Sequence, residues 1–311
     1  MPIGFADIWD FHTDLRYVVN LAPEKAYLAE QIDLPAARRL GGLFSATGRR
    51  AGAAQAEQLK LLEADVRLIR QTPGLTVVLQ AADLPGEGRQ VLHAEGVYFV
   101  EREGDLELLD WMWEQGFRGL GPLYNEDNAL GGGAKGDPAR GLTPLGRDLA
   151  LRAWEKGFIV DCAHANHRTK EDLIDLALVT GNPLHYSHGH LDGAVVAAFG
   201  ERGLPRPAAR RLLETGGIVG LAPHPGFYAA FERYVEEIGF LAEVAPAQVC
   251  LGSDFAGTNT PGPAGNRMFP ELKGVWGVPA FAERVARSHG EDFARSFCGA
   301  ALKEYLQRAL P

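Results

Sequence analysis

The chain has 311 residues, 46% hydrophobic and 23% charged, with 31 basic and 40 acidic side chains for a formal charge of -9. Those proportions describe a folded globular protein and argue against disorder, while an acidic balance with no basic stripe argues against nucleic acid as a partner. Three scattered cysteines, Cys162, Cys250 and Cys298, are too few for a disulfide framework or a paired-cysteine metal knuckle and suit a reducing compartment.

The opening, MPIGFADIWDFHTDL, lacks a basic leader with an unbroken apolar stretch, and no later segment approaches the roughly 18 apolar residues of a membrane span. The expectation is a cytoplasmic protein with no membrane partner. In chain order, Phe5–Phe11 and Gly42–Thr47 read as strands, and Gln55–Arg70 as a helix whose Leu59, Leu62, Val66 and Ile69 share one face. Leu75–Leu79, Val91–Val100 and Phe117–Leu120 follow as strands. The glycine run Gly131–Gly136 has no strand-to-helix context for a phosphate cradle and reads as a flexible flap. Thr143 caps a helix over Pro144–Lys156 that Gly157 closes, and Phe158–Ala163 is the next strand. Thr169 to Asp172 has the spacing of a capping box, with Gly181 beyond the helix it opens. Leu184–Ser187, Ile218–Ala222 and Val249–Ser253 complete the strands, and Pro261–Pro270 reads as a long loop. Apolar runs alternating with helices predict a parallel sheet. With nine candidates and Leu75–Leu79 set aside as an extra, the expected fold is α/β, a (β/α)8 TIM-type barrel, as a single domain over residues 1–311.

Chemistry gathers at the strand ends. His12 and Asp14, two apart, point to one face of a strand. Glu95, His164 and His188 end later strands, with His164 and His188 about one strand-helix unit apart, at the barrel end where active sites lie. Mixed nitrogen and oxygen donors suit zinc or a similar divalent ion. Five ligands exceed one open zinc site, so two ions are expected, sharing the Glu95 carboxylate and activating a bridging hydroxide. Asp254, after the last strand, can carry a proton from the attacking water to the leaving amine. His93 and His190, two positions from proposed ligands, are readable as partners that orient them or as packing, and Cys162 as a small buried hydrophobe.

These residues carry a resemblance. Together with Ile32-Asp-Leu-Pro before Gly41-Gly-Leu-Phe-Ser, Gly141-Leu-Thr-Pro-Leu-Gly146, the Asp161 and His164 pair, Ser187-His188, Gly216-Gly217 and Gly252-Ser-Asp-Phe, the chain resembles the membrane dipeptidase (renal dipeptidase) family of the amidohydrolase superfamily over nearly its whole length. The resemblance implies a binuclear zinc dipeptidase with His12 and Asp14 on one metal, His164 and His188 on the other, Glu95 bridging and Asp254 as acid/base. It implies Arg202 as the substrate-carboxylate arginine and tolerance of D-residues at the C-terminal side of the dipeptide. The sequence departs where the family's substrate-contacting histidine stands, having Leu123-Tyr124-Asn125, and it carries His224 where relatives often have tyrosine. Tyr124 or His224 is therefore the candidate donor to the developing oxyanion. The substrate expected is a dipeptide or other small carboxylate-bearing amide, with a homodimer possible as the assembly. N-acyl amino acid, lactone or cyclic-amide hydrolysis on the same metals is the alternative, and a catalytically silent binding protein a further one.

Overall fold

A computed structural model describes residues 3–19, 28–47, 52–191, 201–257 and 268–311 of the chain. The strands are β1 (Trp9–Thr13), β2 (Gly42–Thr47), β3 (Thr76–Val77), β4 (Arg89–Glu95), β5 (Phe117–Gly121), β6 (Ile159–Asp161), β7 (Leu184–His185), β8 (Val219–Leu221) and β9 (Val249–Leu251). All their pairings are parallel: β1, β2, β4, β5, β6 and β7 run in order through one sheet, and β8 pairs β9. Single bridges from Tyr186 to Val219 and from Thr13 to Phe255 join the two sheets on both sides. The result is a curled eight-stranded β/α barrel, and β3 is the extra strand, paired to β4 off the path.

The helices are α1 (Leu15–Val19), α2 (Leu34–Arg39), α3 (Gln55–Gln71), α4 (Leu108–Glu114), α5 (Pro144–Lys156), α6 (His167–Thr180), α7 (Arg206–Glu214), α8 (Phe231–Val244), α9 (Val278–His289), α10 (Glu291–Arg295) and α11 (Ala301–Ala309). In α3, Leu62, Val66 and Ile69 are buried, as the periodicity requires, and in α5 the Thr143 side chain accepts from the Gly146 N–H while Gly157 ends the helix at φ 93°. None of the helices in the described residues is long and apolar enough to cross a membrane. Phe11, Phe44, Val91, Ile159, Ile218 and Cys250 form an inner cluster with Leu302, Tyr305 and Leu306 of α11, so the last helix covers the barrel end where strands begin. The C-terminal strand ends are left to build a site.

Three expectations change. Phe5–Asp7 is a 3-10 turn, and β1 starts only at Trp9. The cap of α6 is Asn166, whose side chain accepts from the Thr169 N–H; the Thr169 hydroxyl instead accepts from Gly132 N–H, so the apparent capping box lies one turn inside the helix. The glycine run is no flap: Gly131 to Ala134 are buried, Gly133 N–H donates to Asp127, Asn166 N–H to the Gly132 carbonyl, and Ala134 N–H to the His164 carbonyl. Its glycines are there for close approach, since a Cβ at Gly132 would collide with the Arg140 carbonyl. Of the expected Pro261–Pro270 loop, residues 261–267 lie outside the described residues.

Candidate metal centre

His12 on β1, Glu95 at the end of β4, His164 after β6, His188 after β7 and Asp254 after β9 meet at the C-terminal mouth of the barrel. One Glu95 carboxylate oxygen, Oε1, lies 2.8 Å from His164 Nε2, 3.4 Å from His188 Nε2 and 3.6 Å from His12 Nε2. Asp254 Oδ1 is 3.8 Å from His12 Nε2. The rings of His12 and His188 stack at 3.6 Å between centroids. Donor atoms fall into two groups, His12 with His188 and Asp254, and Glu95 with His164 and His188. Asp14 enters neither group. It is buried, its N–H donates to the Phe255 carbonyl, and its carboxylate and that of Asp254 both border Gly257, where a Cβ would strike them.

Hydrogen bonds dictate how the imidazoles point. Ser187 Oγ lies 2.5 Å from Asp161 Oδ2 and 2.8 Å from His188 Nδ1. A carboxylate only accepts, so the serine proton goes to Asp161 and the free lone pair of Oγ receives the Nδ1 proton of His188. Asn125 Oδ1, 3.0 Å from His164 Nδ1, acts likewise. Both histidines therefore carry unprotonated Nε2 atoms that lie 3.1 Å apart beside a carboxylate, with the Arg202 guanidinium 3.1 Å from that of His164. Two lone pairs and an anion crowded together in a buried site repel, and a cation between them removes the repulsion. The donor set of imidazole nitrogen and carboxylate oxygen fits a divalent metal such as zinc. His164 and Asp254 reach their positions only in the left-handed region, φ 66° and 57°, where a non-glycine residue is strained. For His164 the Ala134 N–H and Asn125 hold it there from two sides.

Asp10 repeats the Asp161 pattern at the seam of the barrel: it accepts from Ser253 N–H at 2.7 Å, Ser253 Oγ at 2.5 Å and Thr13 Oγ1 at 2.7 Å. That clamp ties the last strand to the first and sets His12 against Asp254.

The substrate candidates separate. Arg202 is buried, its Nη2 3.1 Å from His164 Nε2, and its Nη1 has no hydrogen-bond partner among the described residues. The Tyr124 ring lies 4.2 Å from the His164 ring. His224 takes the Gly226 N–H on Nδ1 and sits 5.2 Å from Phe227; burial pushes its pKa down from 6.5 to about 4, so the ring is neutral. His93 Nε2 lies 3.5 Å from Asp161, on the far side of the Ser187 relay, and His190 stacks on Phe227 at 4.5 Å. Burial pushes the Cys162 thiol far above its ordinary value, as for an unreactive hydrophobe. Asn125 is the residue that sequence reasoning missed: standing beside Tyr124, it gave no signal of its own.

The model of the membrane dipeptidase family (peptidase family M19) matches residues 12–287. An uncharacterized protein from the pqqA 5' region of Klebsiella pneumoniae is 29% identical over 259 residues, covering 76% of this chain and 88% of that protein. Another uncharacterized protein, from the PQQ-III 3' region of Acinetobacter calcoaceticus, is 30% identical over 149 residues, 46% of this chain, and the match spans only 44% of that relative. Among solved structures, a metallopeptidase from Rhodobacter sphaeroides liganded with a phosphinate mimic of the dipeptide L-Ala-D-Ala superposes with a TM-score of 0.79 at 20% identity, covering 97% of this chain and 99% of that one. At that identity the likeness is one of fold.

Proposed function

Because the chain belongs to the membrane dipeptidase family, we propose that it is a binuclear zinc hydrolase cleaving the amide bond of a dipeptide or a similarly small substrate with a free carboxylate. The observation that carries the reading is the convergence of three imidazole Nε2 atoms on one oxygen of Glu95, within 2.8 to 3.6 Å, beside a guanidinium with an unused nitrogen.

His12, Asp14, Glu95, His164 and His188 would hold the two ions, which supply Lewis acidity toward a carbonyl and water activated at neutral pH. Arg202 Nη1 donates to the substrate carboxylate, an ion pair strengthened by burial while Nη2 stays on His164. That pairing sets the scissile carbonyl over the histidine nitrogens. Asp254, 19% exposed at the mouth, takes the proton of the attacking water and returns it to the leaving amine. Tyr124, whose ring packs against His164, is the better placed oxyanion donor; His224, which accepts from Gly226 N–H on Nδ1 and so carries its proton on Nε2, packs instead against Phe227.

Elemental analysis of the purified protein, with hydrolysis of L,L and L,D dipeptides before and after chelation, tests this. Two zinc equivalents and chelator-sensitive cleavage are expected. Two metals with no dipeptide cleaved would overturn the substrate, and no metal after reconstitution would overturn the centre.

A further inference from the structure

One buried cation has no part in the chemistry above. Lys170 lies one turn inside α6, fully buried, and its ammonium donates to three successive carbonyls: Glu201 at 2.7 Å, Arg202 at 3.2 Å and Gly203 at 2.8 Å. The same segment is held elsewhere. Tyr186 OH donates to the Arg202 carbonyl at 2.9 Å, Glu201 N–H to the Ala134 carbonyl at 2.9 Å, and the Glu201 carboxylate accepts from His167 N–H at 2.9 Å. Burying an ammonium is costly, and three carbonyls at bonding distance offset that cost. Packing alone would be met by an apolar side chain of equal length. What the lysine adds is a fixed position for the backbone of Arg202.

The helix carrying Lys170 begins at His167, three residues after His164. Lys170 thus ties the backbone of Arg202 to the unit that places His164 Nε2, 3.1 Å from the guanidinium. We propose that Lys170 is a positioning residue: it sets the distance from the guanidinium to the histidine nitrogens, and so selects substrates whose free carboxylate lies one residue beyond the scissile bond. The inference rests on the reading that Arg202 takes that carboxylate.

The test is made on zinc-reconstituted enzyme, comparing kcat/KM for a dipeptide and for the same dipeptide with its C-terminus amidated. Wild type prefers the free acid. Lys170→Met lowers that preference about tenfold to a hundredfold, as a small misplacement of a substrate clamp does, through KM of the acid with the amide little changed. Tyr186→Phe, a milder loosening of the same carbonyl, shifts it in the same direction. An unchanged preference in K170M, or acid and amide falling together, overturns the proposal, because the lysine then only supports the fold. Should K170M fail to fold, Tyr186→Phe decides, an unchanged preference again overturning it. Arg202→Met separates the layers: if it leaves the preference intact, the reading of Arg202 fails and this inference with it, whereas lost preference in R202M beside an unchanged K170M sinks the inference alone.

Discussion

Acid stability of this barrel should depend on His185, which lies inside it. Its Nδ1 is 3.2 Å from the Val160 carbonyl, its ring is 4.6 Å from Tyr305, and Nε2 has no hydrogen-bond partner among the described residues. Burial pushes its pKa down from 6.5 to about 3; His93 adds to the shift and the Val160 carbonyl opposes it. In the unfolded chain the imidazole takes a proton below 6.5, while in the fold it stays neutral until about 3. Between those values the unfolded state binds more protons, so stability falls as pH drops. Each pH unit crossed costs about 1.4 kcal/mol, giving about 2 kcal/mol by about pH 5 and a ceiling of about 5 kcal/mol. His185→Phe removes the liability and gives up the Val160 hydrogen bond, worth about 1 kcal/mol at every pH. Urea midpoints of both proteins at about pH 7.5 and about pH 5 should show wild type losing about 2 kcal/mol more than the variant on acidification. Groups that do not interact with His185 cancel in that difference. Equal losses would refute the argument.

Ser187→Ala leaves the His188 Nδ1 proton without its acceptor, so metal affinity should fall about tenfold to a hundredfold, read by competition with a chromophoric chelator; affinity within about twofold of wild type would deny the relay. Asp254→Asn should keep its metal content while kcat drops about a hundredfold to ten-thousandfold, and near-normal turnover would remove Asp254 from proton transfer. Gly132→Ala forces a Cβ against the Arg140 carbonyl and should cost about 1 to 3 kcal/mol in chemical denaturation.

The sequence carried the barrel because alternation of apolar runs and helical segments is a local property repeated around the ring. Strand ends were less legible: Val91–Val100 is mostly apolar, yet β4 ends at Glu95 and the residues beyond it, largely buried, leave the ladder after two bonds to the Gly121 carbonyl. Burial writes the same letters whether or not the backbone is in a ladder. Glycines misled for a related reason. At Gly131–Gly136 they permit close packing, and the string alone does not separate that from mobility. For the candidate site, histidines and carboxylates at strand ends were visible, whereas the orienting partners were not. Asn125 and Lys170 look like surface residues until the fold turns them inward, and only Ser187, next to a histidine, and Asp161 had a position that hinted at their use.

The Asp10 and Ser253 clamp has a consequence for how the protein is made. His12 and Asp254, which share one group of donor atoms, stand about 240 positions apart in the sequence. A ribosome-bound chain that has emerged past His188 already possesses all five proposed ligands, His12, Asp14, Glu95, His164 and His188, but no closed ring. Asp254 joins them only once the last strand docks against the first, a late contact of very long sequence separation. The metal-binding side chains are thus all synthesised before the ring can close, and proton transfer waits on the closing contact that brings Asp254 to His12.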